Sequence, residues 1–230
     1  PPPLHRDPCY RCERRRRMTP DLQRDLLAAL ERPYRLGTIG GDLEEQLAHC
    51  ASFSSVLTEV LAGRIPQRGC DLGTGGGLPG VALAALWPMM RWTLVDMRTA
   101  RADEVERVVL RLGLHERTEV QGLEAQYLGH DPEYRESFDV VVARAFGPSS
   151  LTAECAAGLV STGGVLIVSE PPSVLEEDEG RWSATSLTAL GFSSATFSEV
   201  GGTRFVVFDK IAPTPENVPR LPPRANRGWV

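Results

Sequence analysis

The sequence predicts an α/β protein with a seven-stranded, mostly parallel, doubly wound sheet, a small N-terminal helical cap and a final antiparallel hairpin. Three observations predict it. A glycine-rich stretch lies between a strand-like and a helix-like segment, short apolar runs alternate with helical runs over residues 66–210, and two glycines separate the last two strand-like runs. The chain has 230 residues, 42% of them apolar, which is enough for one such domain.

The N-terminal region divides into two parts. Residues 1–17 contain three leading prolines and four consecutive arginines, a composition that predicts a disordered basic arm. Thr19 and Pro20 then predict the start of a helix, as its N-cap and first residue. Apolar residues recur at helical spacing up to Leu61 and are interrupted by glycines between residues 37 and 41. Residues 18–65 are therefore expected to form a cap of two or three helices.

The stretch Asp71–Gly80, with the sequence DLGTGGGLPG, predicts a cofactor-binding loop that leads into a helix. Its glycines let the backbone approach a ligand closely, and the helix directs free N–H groups toward that ligand. The spacing from Gly75 to Gly80 also fits a dinucleotide-binding loop, and a tight turn without a ligand is a further reading. Asp71 favours S-adenosylmethionine, because an anion attracts its amino group and sulfonium but would repel the phosphates of a dinucleotide.

The ends of the next two strands predict the rest of the cofactor site. Asp96 ends the second strand about 20 residues beyond the loop, where this architecture holds ribose hydroxyls. An N-cap or a surface acid is the alternative. Arg98 and Arg101 are expected on the same rim. Leu123 and Glu124 follow the third strand and are placed to meet an adenine, because strand ends gather along one crevice.

The fourth strand, residues 137–143, is followed by Arg144 and Phe146. An arginine can grip a carboxylate or phosphate, and a phenylalanine can stack on a base. An aromatic plug beside an exposed arginine is the plainer reading. We next expect a helix over residues 151–160, a break at Gly163 and Gly164, and a fifth strand over residues 165–169. An acidic stretch at residues 176–179 and a helical segment up to residue 190 follow.

The last two strands, residues 195–200 and 204–209, are joined by Gly201 and Gly202 and must be antiparallel. This hairpin is the methyltransferase variation of the Rossmann-like architecture. Residues 211–230 form a tail rich in proline and arginine that we expect to be a mobile strap.

Composition excludes several classes of function. A formal charge of −5 argues against nucleic-acid binding by the whole surface, although a local basic patch stays possible, and no DNA partner is expected. No apolar run is long enough to predict a membrane association. The five scattered cysteines indicate a reducing, cytoplasmic location. Cys9 and Cys12 could supply half a zinc site, but a solvated tail is favoured and no metal is predicted.

Four segments together resemble the RsmG family, also called glucose-inhibited division protein B, over residues 68–210. They are Asp71–Gly80, Asp96, residues 121–124 (QGLE) and residues 143–146 (ARAF). Members of this family use S-adenosylmethionine to methylate N7 of a guanine in small-subunit ribosomal RNA. The resemblance therefore implies that cofactor, and 16S ribosomal RNA or the small ribosomal subunit as partner. It implies cofactor contacts by Gly73, Leu78, Leu123, Glu124 and Arg144, with Gly75, Gly77 and Asp96 beside them.

A guanine N7 needs no general base, because its lone pair is free at neutral pH. The predicted catalytic residues are therefore Phe146, which would stack the purine, and Arg144, which would order the methionine end of the cofactor. Asp71 would attract the sulfonium.

The sequence also departs from the family pattern. It lacks the usual Asn-Leu-Thr segment, and it has His49-Cys-Ala-Ser52 where the family has His-x-x-Asp-Ser. Glu170 and Pro171 follow the fifth strand in place of Lys-Gly, a change of charge expected to weaken attraction to RNA phosphates. Two alternatives stay open: a relative that methylates another acceptor such as a small molecule, and a non-catalytic module that binds S-adenosylmethionine or RNA.

Overall fold

The computed structural model describes residues 17–171, 181–222, 228 and 229. The predicted basic arm up to residue 16, the Cys9–Cys12 pair and the acidic stretch at residues 176–179 lie outside the described residues. Within the described ranges, no helix is both long and apolar enough to cross a membrane.

The described helices and strands follow the predicted alternation, except that the short helix Ala125–Leu128 was not predicted. The helices are α1 Pro20–Arg35, α2 Leu43–Leu61, α3 Gly80–Leu86, α4 Thr99–Arg111, α5 Ala125–Leu128, α6 Ser149–Ala157 and α7 Ala184–Ala189. The strands are β1 Arg68–Leu72, β2 Arg91–Val95, β3 Thr118–Gln121, β4 Phe138–Arg144, β5 Val160–Ser169, β6 Thr196–Val200 and β7 Thr203–Asp209.

The strands form one sheet in the order β3-β2-β1-β4-β5-β7-β6. Strands β1 to β5 are parallel, and β7 pairs antiparallel with both β5 and β6. The order reverses between β1 and β4, the position at which open α/β sheets bind ligands beyond the carboxyl ends of their strands. The predicted fold class is confirmed.

Helices cover both faces of the sheet, and each face has its own apolar core. One core joins α1, α2, α3 and α4 to the sheet through residues such as Leu26, Phe53 and Val105. The other joins α5, α6 and α7 through residues such as Leu128 and Ala153. The cap helices therefore complete one face of the sheet, because their apolar stripes are buried in the same core as α3.

The predicted start of the first helix is correct. Thr19 is the N-cap of α1, its side-chain oxygen accepts a hydrogen bond from the N–H of Leu22 at 3.2 Å, and Pro20 begins the helix. Asp42 caps α2 in the same way, accepting from the N–H groups of Glu44 and Glu45. Two capped helices thus bring the chain to β1.

Two local expectations were wrong. Helix α6 ends at Ala157, and β5 begins at Val160 and runs through Gly163 and Gly164, with a register shift against β4. The glycines form an irregularity inside the strand instead of a break before it. The described part of the tail is also not a mobile strap, because Arg220 forms an ion pair with the buried Glu154 of α6.

Candidate cofactor and acceptor site

The loop between β1 and α3 needs glycine at Gly73. Its φ is +72°, in the left-handed region, and a Cβ there would lie 2.7 Å from Cδ2 of Phe146. A side chain would therefore strain the backbone and displace the phenyl ring. The loop and Phe146, which follows β4, are in direct contact at the carboxyl edge of the sheet.

Asp71 fixes this loop from inside. Its side chain is buried, and Oδ2 accepts a hydrogen bond from the N–H of Gly80 at 2.8 Å, the first residue of α3. Burial raises the pKa of Asp71 to about 6, although the hydrogen bond from Gly80 and the charge of Arg144 oppose the increase. The carboxylate holds the loop against α3 and does not line the cavities described below. Its predicted attraction of a sulfonium would act from this buried position.

Asp96 supports the loop from β2. One carboxylate oxygen accepts from the N–H of Gly75 and the other from the N–H of Arg98, each at 2.9 Å. Asp96 is 5% exposed, so it is not the surface acid of the alternative reading. A carboxylate oxygen has two lone pairs, and each oxygen therefore keeps capacity for a ribose hydroxyl.

Two adjoining cavities open at this edge. The larger, of about 450 Å³, lies among the ends of β2, β3 and β4. The smaller, of about 190 Å³, lies between the glycine loop and the connection from α1 to α2. Both are lined by Gly73, Arg101 and Ala145, so they lie side by side, and together they are called the elongated site below. An adenosine and a methionine moiety joined through a sulfonium have this two-part shape.

Arg144 and Phe146 contribute to different cavities. Arg144 lines the smaller cavity and Phe146 the larger, and Ala145 between them has a φ of +51°. A non-glycine residue in the left-handed region is strained, and such strain is concentrated at functional sites. Nη1 of Arg144 is buried without a hydrogen-bond partner among the described residues, which leaves a cationic donor available at this end.

Most of the predicted site residues meet at these cavities. The larger is lined by Asp96, Leu123, Glu124 and Phe146, and the smaller by Gly75, Leu78 and Arg144, with Gly73 at both. Asp71 and Gly77 support the loop from behind, because a Cβ on Gly77 would lie 3.0 Å from Val81.

Other lining residues were not predicted from the sequence. Thr38 and Ile39 reach the smaller cavity from the cap, and Pro222 reaches the larger cavity from the tail. The proline-rich composition around residue 222 signals a segment without helix or strand, but nothing in it indicates contact with the cavity.

His49 lies on the side of α2 toward Arg144. Its ring stacks on Phe53 at a centroid distance of 5.5 Å and meets the edge of Phe205 at 6.0 Å. Burial and the charge of Arg144 lower the pKa of His49 to about 4. The imidazole is therefore neutral at physiological pH.

The side chain of Glu170, which follows β5, is buried and paired inside the protein. Its side chain is 1% exposed, Oε1 accepts from Nε1 of Trp182 at 2.7 Å, and Oε2 lies 3.3 Å from Nη1 of Arg181. Because this carboxylate is buried and paired, it does not present a negative charge to RNA phosphates, although the attraction that a lysine would supply here is still missing.

Comparison with known proteins agrees with this geometry. The model of the GidB family, described as rRNA small subunit methyltransferase G, matches residues 42–200. The chain belongs to this family. It is therefore an S-adenosylmethionine-dependent methyltransferase.

Relatives named ribosomal RNA small subunit methyltransferase G support the assignment. The one from Carboxydothermus hydrogenoformans is 30% identical over 201 residues, covering 86% of this chain and 84% of the relative. The one from Deinococcus radiodurans is 37% identical over 174 residues, covering 73% of this chain and 68% of the relative.

Solved structures support the fold alone. An O-methyltransferase from Bacillus cereus in complex with SAH superposes with a TM-score of 0.58 at 19% identity, covering 81% of this chain and 91% of the other. A methyltransferase from Geobacter sulfurreducens gives a TM-score of 0.54 at 17% identity, covering 81% of this chain and 88% of the other.

Proposed function

We propose that this methyltransferase transfers the methyl group of S-adenosylmethionine to N7 of a guanine in 16S ribosomal RNA. The observation that carries the proposal is the elongated site, because it is built from the glycine loop, Asp96 and the Arg-Ala-Phe edge that also carry the family resemblance. An enzyme with this substrate would act in the cytoplasm.

The two cavities suggest how the cofactor lies. The adenosine would occupy the larger cavity, with its ribose hydroxyls on Asp96 and its adenine beside Leu123 and Glu124. The methionine carboxylate would reach the smaller cavity, where the unpartnered Nη1 of Arg144 can bind it. The sulfonium and its methyl group would then lie near the shared wall at Gly73, beside Phe146.

The chemistry suits a site without a general base. The N7 lone pair attacks the methyl carbon, the carbon–sulfur bond breaks with its electron pair going to sulfur, and the products are S-adenosylhomocysteine and a cationic 7-methylguanine. No proton moves in this step. The rate would come from holding N7 in line with the breaking bond and from excluding water. Phe146 would stack the purine in this position.

The small-molecule alternative loses one of its arguments. It depended partly on Glu170 repelling RNA, and the buried, paired Glu170 does not present its charge at the surface. Its other argument, the departure from the family motif at His49–Ser52 and the missing Asn-Leu-Thr segment, is unchanged.

The test is transfer of labelled methyl groups from S-adenosylmethionine to small ribosomal subunits from a strain that lacks its own enzyme. We expect the label in 7-methylguanosine after the nucleosides are separated. A preparation that binds the cofactor but leaves the subunits unlabelled would reject this acceptor. Cofactor binding without formation of S-adenosylhomocysteine with any RNA would favour a non-catalytic binding module.

A further inference from the structure

The segment of residues 212–222, called the C-terminal strap below, lies outside the region matched by the family model, which ends at residue 200. It leaves the end of β7, passes the C-terminal ends of α5 and α6 at Gly129 and Gly158, and reaches the larger cavity, where Pro222 is a lining residue. The strap therefore runs from the amino ends of the parallel strands to their carboxyl ends.

The first half of the strap is bound through its backbone. The N–H of Thr214 donates to Oε1 of Glu136 at 2.8 Å. Arg135 donates from Nη1 to the carbonyl of Val218 at 2.7 Å and from Nη2 to the carbonyl of Pro215 at 3.0 Å. These bonds satisfy carbonyl groups that a loose tail would expose to water.

Pro219 is packed between two glycines. A Cβ on Gly129 would lie 2.8 Å from the Pro219 ring, and one on Gly158 would lie 2.7 Å from it. The carbonyl of Pro219 is 2.7 Å from Nε2 of His130. This part of the strap follows a groove that exists only because both glycines lack side chains.

The second half is held by an ion pair at Arg220. The side chain of Glu154 on α6 is fully buried. Arg220 donates from Nε to both carboxylate oxygens at 3.0 Å and from Nη2 to Oε2 at 2.6 Å, and its backbone N–H also donates to Oε1. The hydrogen bond to Glu154 raises the pKa of Arg220. A buried carboxylate needs such a partner, so this pair determines where the chain passes over α6.

We propose that the C-terminal strap is part of the cofactor site, with the Glu154–Arg220 pair positioning Pro222 as a wall of the adenosine cavity. Pro222 follows Arg220 by two residues and lines the cavity together with Leu151, which lies on the same helix as Glu154. Glu154 and Arg220 are positioning residues, and Pro222 is the contact. The inference depends on the proposed placement of the cofactor in this cavity.

The experiment measures the Kd for S-adenosylmethionine and for S-adenosylhomocysteine by calorimetry, in full-length variants shown by circular dichroism to be folded. We expect Pro222→Gly to weaken both affinities about fivefold, the loss for roughly 40 Å² of apolar contact. Arg220→Ala should weaken them at least as much and Arg220→Lys less, because lysine keeps the charge but not the bidentate geometry. Arg111→Ala, an exposed change on α4, is the matched control and should bind as the wild type does.

Asp96→Ala separates the two proposals. If it weakens binding while Pro222→Gly and Arg220→Ala bind normally, the cavity holds the cofactor but the strap is only a structural tie, and this inference is wrong. Unchanged binding in all three variants would reject the placement of the cofactor and the inference with it. Should Arg220→Ala fail to fold, Pro222→Gly decides alone, because it leaves the ion pair in place.

Discussion

Arg144 is the residue on which the proposed mechanism depends most. Its Nη1 has no hydrogen-bond partner among the described residues, so removing it should affect the ligand more than the fold. We expect Arg144→Ala to lower methyl transfer by about tenfold or more and the free energy of unfolding by about 1 kcal/mol or less. Arg144→Lys should be intermediate, because it keeps the charge and loses the planar fork. Normal methylation of ribosomal subunits by Arg144→Ala would reject this role.

Asp71 and His49 should have opposite effects on stability at acid pH. The folded-state pKa of Asp71 is raised from 3.8 to about 6, so its contribution is fully present below pH 3.8 and is lost as the pH rises through 6. The folded-state pKa of His49 is lowered from 6.5 to about 4, so its contribution is present above pH 6.5 and is lost as the pH falls through 4. The two changes oppose each other between pH 4 and 6.5.

Single substitutions should separate these contributions. Relative to the wild type, Asp71→Asn should lose more stability as the pH falls from 6.5 to 4.5, because the opposing gain from protonation of Asp71 is absent. His49→Gln should lose less stability than the wild type, or gain stability, as the pH falls over the same interval. Urea unfolding at several pH values measures both, and parallel pH profiles for the three proteins would contradict the assignment.

At the scale of elements, the loop between β1 and α3 allows a matched comparison of two glycines. Both have positive φ, +72° at Gly73 and +57° at Gly75. A Cβ on Gly75 meets nothing closer than 3.8 Å, whereas one on Gly73 lies 2.7 Å from Phe146. Alanine at either position should cost about 1 to 2 kcal/mol of backbone strain, and Gly73→Ala should cost more.

The contact with Phe146 can be isolated by a double-mutant cycle. In a Phe146→Leu background the additional cost of Gly73→Ala in urea unfolding should decrease, because the ring is gone, while the cost of Gly75→Ala should not change. Equal costs for Gly73→Ala in both backgrounds would show that the ring is not the obstacle.

The end of β5 provides a second test at this scale. Lysine at position 170 would restore the residue type usual in the family. Here it would replace a buried carboxylate that is bound to Trp182 and paired with Arg181. We expect Glu170→Lys to destabilise the protein by about 3 to 5 kcal/mol in urea unfolding, because it places a cation beside Arg181. A stable variant with tighter RNA binding would contradict the structure at this position.

At the scale of the whole molecule, the net charge of −5 repels RNA, so RNA must be attracted by a local group of basic side chains. Arg98 and Arg101 line the larger cavity, and neither has a carboxylate within ion-pair distance among the described residues. Arg98→Ala should therefore weaken binding to small ribosomal subunits and reduce the slope of log K against log salt by about one.

Arg111→Ala is the control, because Arg111 lies about 18 Å along α4 from Thr99, the residue that follows Arg98, at 1.5 Å per residue. An equal loss in both variants, or an affinity that does not depend on salt, would contradict a local site for RNA phosphates at this rim.

The sequence alone determined the order and type of most elements, although not the short helix α5 or the first half of β5. Helical and strand spacing, the Thr19 cap and the glycine turn between β6 and β7 are local signals, and the structure follows them. The sequence also predicted that the ends of the strands gather at one edge, and Asp96, Leu123 and Phe146 do line one cavity there. That expectation follows from parallel pairing and needs no knowledge of side-chain contacts.

Only the tertiary structure decided which charges and segments face that edge. Glu170 was expected to act on RNA phosphates through its charge, but Trp182 and Arg181 bury and pair it. The tail was expected to be mobile, but Arg220 binds Glu154, 66 residues earlier in the chain. Asp71 likewise proved to bind the start of α3. These outcomes depend on partners distant in the sequence, and the burial of a charged group is decided by such partners, which no local spacing encodes.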